Sequence, residues 1–329
     1  MTAPSLQSQI DVLARAHAVP GLAVISINSG APSTILTTGH VCADAPRSAQ
    51  RITAQTLFPL ASVSKFMSAC LVMALARQKL LDLHQPMAWS DQDTGSCRTV
   101  TWAQLLSHRA GFSTTVGFQG DLPDVGSARS GVLCSSRCES TYDVKAIGKF
   151  CYSGCHYWLL QKLLESELQQ SFEQLLQRWL CQPLGLRQTT SLPPSSDQVN
   201  VACGHGVNGQ PLPGGWRLFP GVEAAAGLWT TPEDFERLLS CLLVASSGCD
   251  AAASPLRLQD LLVPGRAGGY HLGVNVAQTP MGVRFSHWGL NPGYQATFSL
   301  YLGAGKARAV FTNLQQSDAV CDWIMRGLI

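Results

Sequence analysis

The stretch Leu57-Phe58-Pro59-Leu60-Ala61-Ser62-Val63-Ser64-Lys65 runs straight into Phe66–Ala76, which contains no charged residue, glycine or proline. Such a run predicts a helix buried on all sides, with Ser62 in its first turn. A lysine at the mouth of that helix needs a partner, because the type is rarely buried without one. Three residues apart at a helix start, Ser62 and Lys65 share a face, so hydroxyl and amine can meet. Burial and the positive helix end both work against an ammonium, leaving an amine suited to take the Ser62 proton. The same helix end aims unpaired N–H groups at the place where an oxyanion would form. By itself, Ser-x-x-Lys also describes an N-capping serine followed by a surface lysine. The apolar helix and two downstream motifs favour the chemistry.

At 329 residues, with 46% hydrophobic and 13% charged, the chain is expected to be globular with a full core. A net charge of +2 with scattered Lys and Arg does not suggest a nucleic-acid partner. Residues 1–8 have neither a basic start nor an apolar h-region, which predicts a cytoplasmic protein. No apolar run approaches the roughly 20 residues of a membrane span, so no membrane partner is expected. The twelve cysteines then default to reduced thiols. The pairs Cys134/Cys138 and Cys151/Cys155 match no common zinc spacing, and neither a metal nor another cofactor is expected.

Along the chain, residues 6–18 read as an amphipathic helix, and residues 22–27 and 34–39 as a hairpin. Val100 to His108 predicts a short helix with Thr101 as N-cap, and His108 is read as a cap on its last carbonyls rather than as a base. Gly117 to Ser140 reads as a long surface loop. Helices are expected over Tyr157 to Leu180 and from Thr231 through Val244, the second opened by Pro232, Glu233 and Asp234. Strands follow over 270–276, 282–287, 295–302 and 306–312, and a helix closes the chain from Asp318. Strands at both ends with helices between predict one sheet assembled from the termini and a helical lobe inserted in the middle.

The second motif, Cys151-Tyr152-Ser153-Gly154, precedes a helix. A tyrosine aimed at Ser62 could relay its proton to a leaving group, though any Tyr there could equally be a half-buried packing residue. The third is His287-Trp288-Gly289-Leu290, on a strand. Gly289 would let a substrate backbone lie along the strand edge, His287 could hydrogen-bond Tyr152 or a substrate carboxylate, and the Leu290 N–H could serve as an oxyanion donor beside that of Ser62. The alternative is a hairpin whose histidine caps a turn.

Taken in order, Val19–Val24, Leu57–Lys65, Leu105–Gly111, Tyr152–Gly154, Gly227–Asp234 and His287–Gly289 resemble the serine β-lactamase and penicillin-binding-protein superfamily, particularly its class C β-lactamase-like and family VIII esterase branch. The resemblance spans nearly the whole chain. It implies an α/β (α+β) fold: an antiparallel sheet flanked by helices, drawn from about 1–65 and 233–329, with a helical lobe over about 66–232, all in one domain. It implies Ser62 as nucleophile, Lys65 and Tyr152 as the base pair, and His287-Trp288-Gly289 in place of the commoner Lys-Thr-Gly. Two departures bear on substrate. Gly154 stands where many relatives have the Asn of Tyr-x-Asn, and His287 would give a weaker, pH-dependent cation beside a bulky Trp288.

Efficient β-lactam hydrolysis is therefore not expected. The expected activity is hydrolysis of small-molecule esters, amides or thioesters through an acyl-enzyme on Ser62. An acyltransferase or peptide-releasing cyclase using the same intermediate is the alternative. A catalytically silent binding protein is the lesser one, since Ser62, Lys65 and Tyr152 are all present. The sequence carries no signal for the oligomeric state.

Overall fold

A computed structural model describes residues 5–44, 49–90, 97–113, 141–195, 200–246 and 256–327. Helix α1 (Leu6–Ala16) leads into strands β1 (Gly21–Asn28) and β2 (Thr34–Gly39), and the two-residue strand β3 (Phe58–Pro59) precedes helix α2 (Ser64–Arg77). Then come the hairpin β4 (Met87–Ser90) and β5 (Cys97–Val100), helix α3 (Trp102–Leu106), and the pair β6 (Ala110–Phe112) and β7 (Tyr142–Ile147). Helix α4 (Gly154–Leu168) is followed by short α and π turns over 172–184, the two-residue strand β8 (Trp229–Thr230) and helix α5 (Pro232–Ser246). Strands β9 (Gly269–Tyr270), β10 (Asn275–Thr279), β11 (Gly282–Asn291), β12 (Tyr294–Tyr301) and β13 (Lys306–Thr312) lead to helix α6 (Asp318–Gly327). Among these described helices none is long and apolar enough to cross a membrane.

Seven strands form one antiparallel sheet in the order β2-β1-β13-β12-β11-β10-β9. Alternation along β1 feeds both of its faces. Leu22 and Val24 meet Ile10 and Ala14 of α1 and Val320 and Ile324 of α6, while Ala23 and Ile25 join the larger core beneath the helices of the middle segment. Phe298 of β12 is the meeting point on that side, with ring centroids 4.5 Å from Phe66 of α2 and 5.7 Å from Phe235 of α5.

The sheet and helices thus expected are present, with local differences. The strand expected to end at His287 continues to Asn291, so the third motif lies inside a strand. The expected strand over 270–276 is two short strands joined by a turn at Gly273 (φ +77°). A Cβ there would come within 2.3 Å of the Ala69 Cβ, so this turn is pressed onto α2. The hairpin β4–β5 and the pair β6–β7 are additions that the sequence reading did not contain. The expected loop over Gly117 to Ser140, with Cys134 and Cys138, lies outside the described residues.

Candidate active site

Helix α2 is buried continuously from Ser64 to Leu75, and within residues 56–75 Ser62 alone is not buried. Ser62 sits in a single 3-10 turn, Ala61–Val63, entered through Ala61 at φ +48°, a left-handed conformation that alanine adopts only when its surroundings enforce it. Lys65, 1% exposed, reaches back along the same face, with Nζ 3.1 Å from Ser62 Oγ and 2.8 Å from the Ala225 carbonyl oxygen. Nζ also lies 5.0 Å from the centroid of the Tyr152 ring and 5.7 Å from that of Tyr157. No carboxylate lies within ion-pair distance of this amine among the described residues. Its partners are oxygens and ring faces.

Ala225 belongs to one turn of π-helix, Glu223–Gly227, packed against α2. Three consecutive carbonyls of this turn face donors: Ala224 faces Ser68 Oγ at 2.8 Å, Ala225 faces Lys65, and Ala226 faces Asn291 Nδ2 at 3.0 Å. A π turn frees carbonyls from the usual i→i+4 ladder. The buried alanines at 224–226 let the turn approach closely enough for those carbonyls to be used. The run of small residues is visible in the sequence, but its purpose is not.

Tyr152 lies in the coil between β7 and α4, immediately before Ser153, whose hydroxyl caps α4 by accepting the Cys155 N–H. His108 holds this coil from below. Its backbone carbonyl accepts the Cys151 N–H at 2.9 Å, its Nδ1 accepts the Ser153 N–H at 3.3 Å, and its ring stacks 4.4 Å from that of Tyr152. The expectation that His108 caps helix α3 is therefore corrected. Ser107 makes that cap, bonding Ala103 O through Oγ, while His108 turns away at φ +56° and is wholly buried.

Because the Ser153 N–H can only donate, His108 Nδ1 must be an acceptor, and its proton resides on Nε2. His156 Nδ1 lies 3.2 Å from His108 Nδ1 and 3.3 Å from Ser153 O, so it carries a proton for one of these acceptors. Burial first, then the neighbouring His156 and Lys65, hold His108 well below the usual imidazole range. His156 is pushed down to about 3 by the same burial.

His287 faces this cluster from β11 but does not supply the expected cation. It is 3% exposed, and burial, followed by the charge of Lys65, lowers its pKa to about 3. Its Nδ1 lies 2.7 Å from the Trp288 carbonyl, which can only accept, so Nδ1 is protonated and Nε2 accepts the Tyr270 hydroxyl at 3.1 Å. The hydrogen-bond partner is Tyr270, not Tyr152; the Tyr152 ring stands 6.4 Å from that of His287. Tyr270 had no signal in the sequence, since a tyrosine at a short strand's end looks like any packing residue.

Trp288 projects to the opposite face of the sheet and is 56% exposed. There it lines a groove of about 650 Å³ together with Arg284, Asp322 and Arg326. Gly154 is buried as the first residue of α4 and offers no side chain to the site.

The pairing of β10 with β11 ends at Asn275–Ser286, so from His287 to Asn291 strand β11 is bonded to β12 alone. The His287 carbonyl faces β12, where Thr297 Oγ1 donates to it at 3.3 Å, and alternation turns the backbone groups of Trp288 and Leu290 to the unpaired edge. Ser62 stands at that edge: a Cβ on Gly289 would fall 2.6 Å from the Ser62 nitrogen and 2.8 Å from the Leu60 oxygen. Gly289→Ala is accordingly expected to push Ser62 off the edge and cut kcat/KM by roughly a hundredfold, the scale of an ångström-sized misplacement. Steady-state kinetics alongside the circular dichroism of the folded variant checks this; unaltered turnover would mean that the strand edge has no part in catalysis.

Among the described residues no group of three or more His, Cys, Asp or Glu side chains is arranged to hold a metal. Cys151 is half-buried and Cys155 buried.

Residues 6–326 match the beta-lactamase family. The chain belongs to that family. Members of this family are serine hydrolases acting on amides and esters, and the mixed helices and antiparallel sheet are the β-lactamase and penicillin-binding-protein fold. Penicillin-binding protein 4 of Amycolatopsis lactamdurans is 29% identical over 227 residues, which is 65% of this chain and 56% of that protein; the chain thus spans little more than half of its relative's length. Two solved structures share the fold of this beta-lactamase-family chain. SurE superposes with a TM-score of 0.76 at 23% identity, over 97% of this chain and 74% of its own. A class C beta-lactamase from Rhodobacter sphaeroides superposes with a TM-score of 0.74 at 17% identity, over 98% and 99%.

Proposed function

We propose that this beta-lactamase-family chain cleaves carboxylic esters or amides through an acyl-enzyme on Ser62, with little turnover of β-lactams. The observation that carries the reading is the 3.1 Å approach of the buried Lys65 amine to the one accessible side chain of the α2 entrance. In the first half-reaction Lys65 accepts the Ser62 proton as the Oγ–carbon bond forms. The oxyanion is placed against the N–H groups of Ser62 and Leu290, on the open edge of β11. Tyr152, beside Lys65, passes a proton to the leaving alkoxide or amine as its bond to the acyl carbon breaks. Water then attacks the acyl carbon by the same route and gives up its proton to the Lys65–Tyr152 pair, which returns a proton to Ser62 Oγ as its bond to the acyl carbon breaks, releasing a carboxylic acid.

Two positions disfavour β-lactam turnover. Gly154 supplies no side-chain amide, and His287 is neutral, so β11 offers no cation to attract a carboxylate. An acyltransferase would follow the same first half-reaction and differ only in what attacks the ester. Adding an alcohol or amine to the assay separates the two by whether product is diverted from free acid.

The test is intact-mass analysis after brief exposure to a fluorophosphonate and to a panel of nitrophenyl esters. Wild-type protein is expected to gain one label or acyl mass, and Ser62→Ala none. Folded wild-type protein that gains neither would overturn the proposal in favour of a silent binding protein.

A further inference from the structure

The active-site edge of β11 has a second end. Two residues beyond Gly289 on the same face, about 7 Å along the strand, Asn291 lines a cavity of about 60 Å³ bounded by Pro59 of β3, Phe219 and Trp229. That is space for only a few heavy atoms. Along β11 the cavity lies beyond Gly289, which abuts the Ser62 nitrogen, at the end opposite His287, the direction in which the acyl portion of a bound ester would extend once its leaving group points toward Tyr152.

Two charged groups share its wall. Glu223 is already engaged: one carboxylate oxygen accepts the Gln161 amide at 2.6 Å and the other accepts the Gly221 N–H at 2.9 Å. Arg217 is not. It is half-buried, lines the cavity, and its guanidinium has neither a hydrogen bond nor an ion pair among the described residues. A guanidinium partly withdrawn from water beside apolar walls gains most from a bidentate carboxylate, whose planar oxygens match its fork.

We infer that this cavity is an acyl-side subsite in which Arg217 binds a carboxylate at the end of the acyl chain, selecting esters or amides of short dicarboxylic acids. The inference rests on the acyl-enzyme reading. The rise of about 7 Å along the strand from Gly289 to Asn291 is about the extended length of a five- or six-carbon acyl group such as glutaryl or adipyl. Arg217 is a specificity-determining residue here and takes no part in the bond-breaking steps, which remain those of Ser62, Lys65 and Tyr152.

The experiment compares the mono-p-nitrophenyl ester of glutaric acid with p-nitrophenyl valerate, which has the same chain length without the charge. Wild-type kcat/KM is expected to favour the glutarate ester by at least about tenfold, the scale of one charge-assisted hydrogen-bond pair. Arg217→Gln should bring that ratio to about one, and Arg217→Glu should reverse it in favour of the ester of 5-aminopentanoic acid, a change that loss of packing would not produce. Arg326→Gln, on the exposed face of α6, should leave the ratio as it is. A wild-type ratio at or below one, or a ratio that Arg217→Gln does not alter, overturns the inference while leaving the acyl-enzyme intact. If neither ester acylates Ser62, the acyl-enzyme reading falls separately. Calorimetric binding of glutarate itself then decides the subsite: affinity dependent on Arg217 supports it, and equal or absent binding in wild type and Arg217→Gln rejects it.

Discussion

Lys65→Met is expected to lower kcat for ester cleavage by roughly 10²- to 10⁴-fold, the range that a positioned general base contributes. Methionine matches the length and apolar stem of lysine but offers no lone pair to the Ser62 proton, and it leaves the Ala225 carbonyl without its donor. The fold should tolerate the change, because relief of a buried amine's desolvation offsets the lost hydrogen bonds. A double variant with Tyr152→Phe distinguishes the partners. If the two residues act as one proton relay, the double variant should be scarcely slower than Lys65→Met alone, as expected of groups that work as a unit. Retention of wild-type turnover within tenfold in folded Lys65→Met would remove the amine from the mechanism.

A second large effect concerns acid. His108, His156 and His287 are buried and neutral, with folded-state pKa values held low, at about 3 for the latter two. Above pH 6.5 the imidazoles are neutral whether the chain is folded or not, and they contribute no pH dependence. As the pH falls below 6.5 the unfolded chain binds protons that the folded chain cannot, so stability drops. Three such groups give a limiting slope of about 4 kcal/mol per pH unit, continuing down toward pH 3. Urea unfolding midpoints measured between pH 7 and 4.5 should fall steeply, and His156→Asn, by removing one imidazole, should flatten the slope by about a third. Stability that stays level across that interval would show that these rings are solvated.

The two predictions meet in one structural fact. Burial first, and then the nearness of Lys65, disfavours a proton on His108, His156 and His287, and those rings in turn surround the coil carrying Tyr152. The site is a cluster in which the Lys65 amine stands 3.1 Å from the Ser62 hydroxyl and the buried imidazoles serve as neutral hydrogen-bonding scaffolds. Through Nδ1 and Nε2, His287 ties the Trp288 carbonyl to Tyr270.

What the sequence by itself determined was periodicity and local chemistry. An uncharged run with Ser62 and Lys65 at its head specified a buried helix whose first turn pairs a hydroxyl with an amine, because i and i+3 share a helical face in any context. Alternating and β-branched runs at both ends of the chain specified the antiparallel sheet, and Thr101 announced its helix by short-range capping. What only the tertiary structure decided was what each polar side chain meets across long sequence separations. His108 and Tyr152 become a unit because α3 and α4 pack together, and Tyr270 finds His287 because β9 and β11 flank β10. The Ala224–Ala226 carbonyls receive Ser68, Lys65 and Asn291 because a π turn settles on α2. Whether a histidine is a cation, a cap or a neutral strut depends on burial and on partners tens of residues away, and no local pattern encodes either.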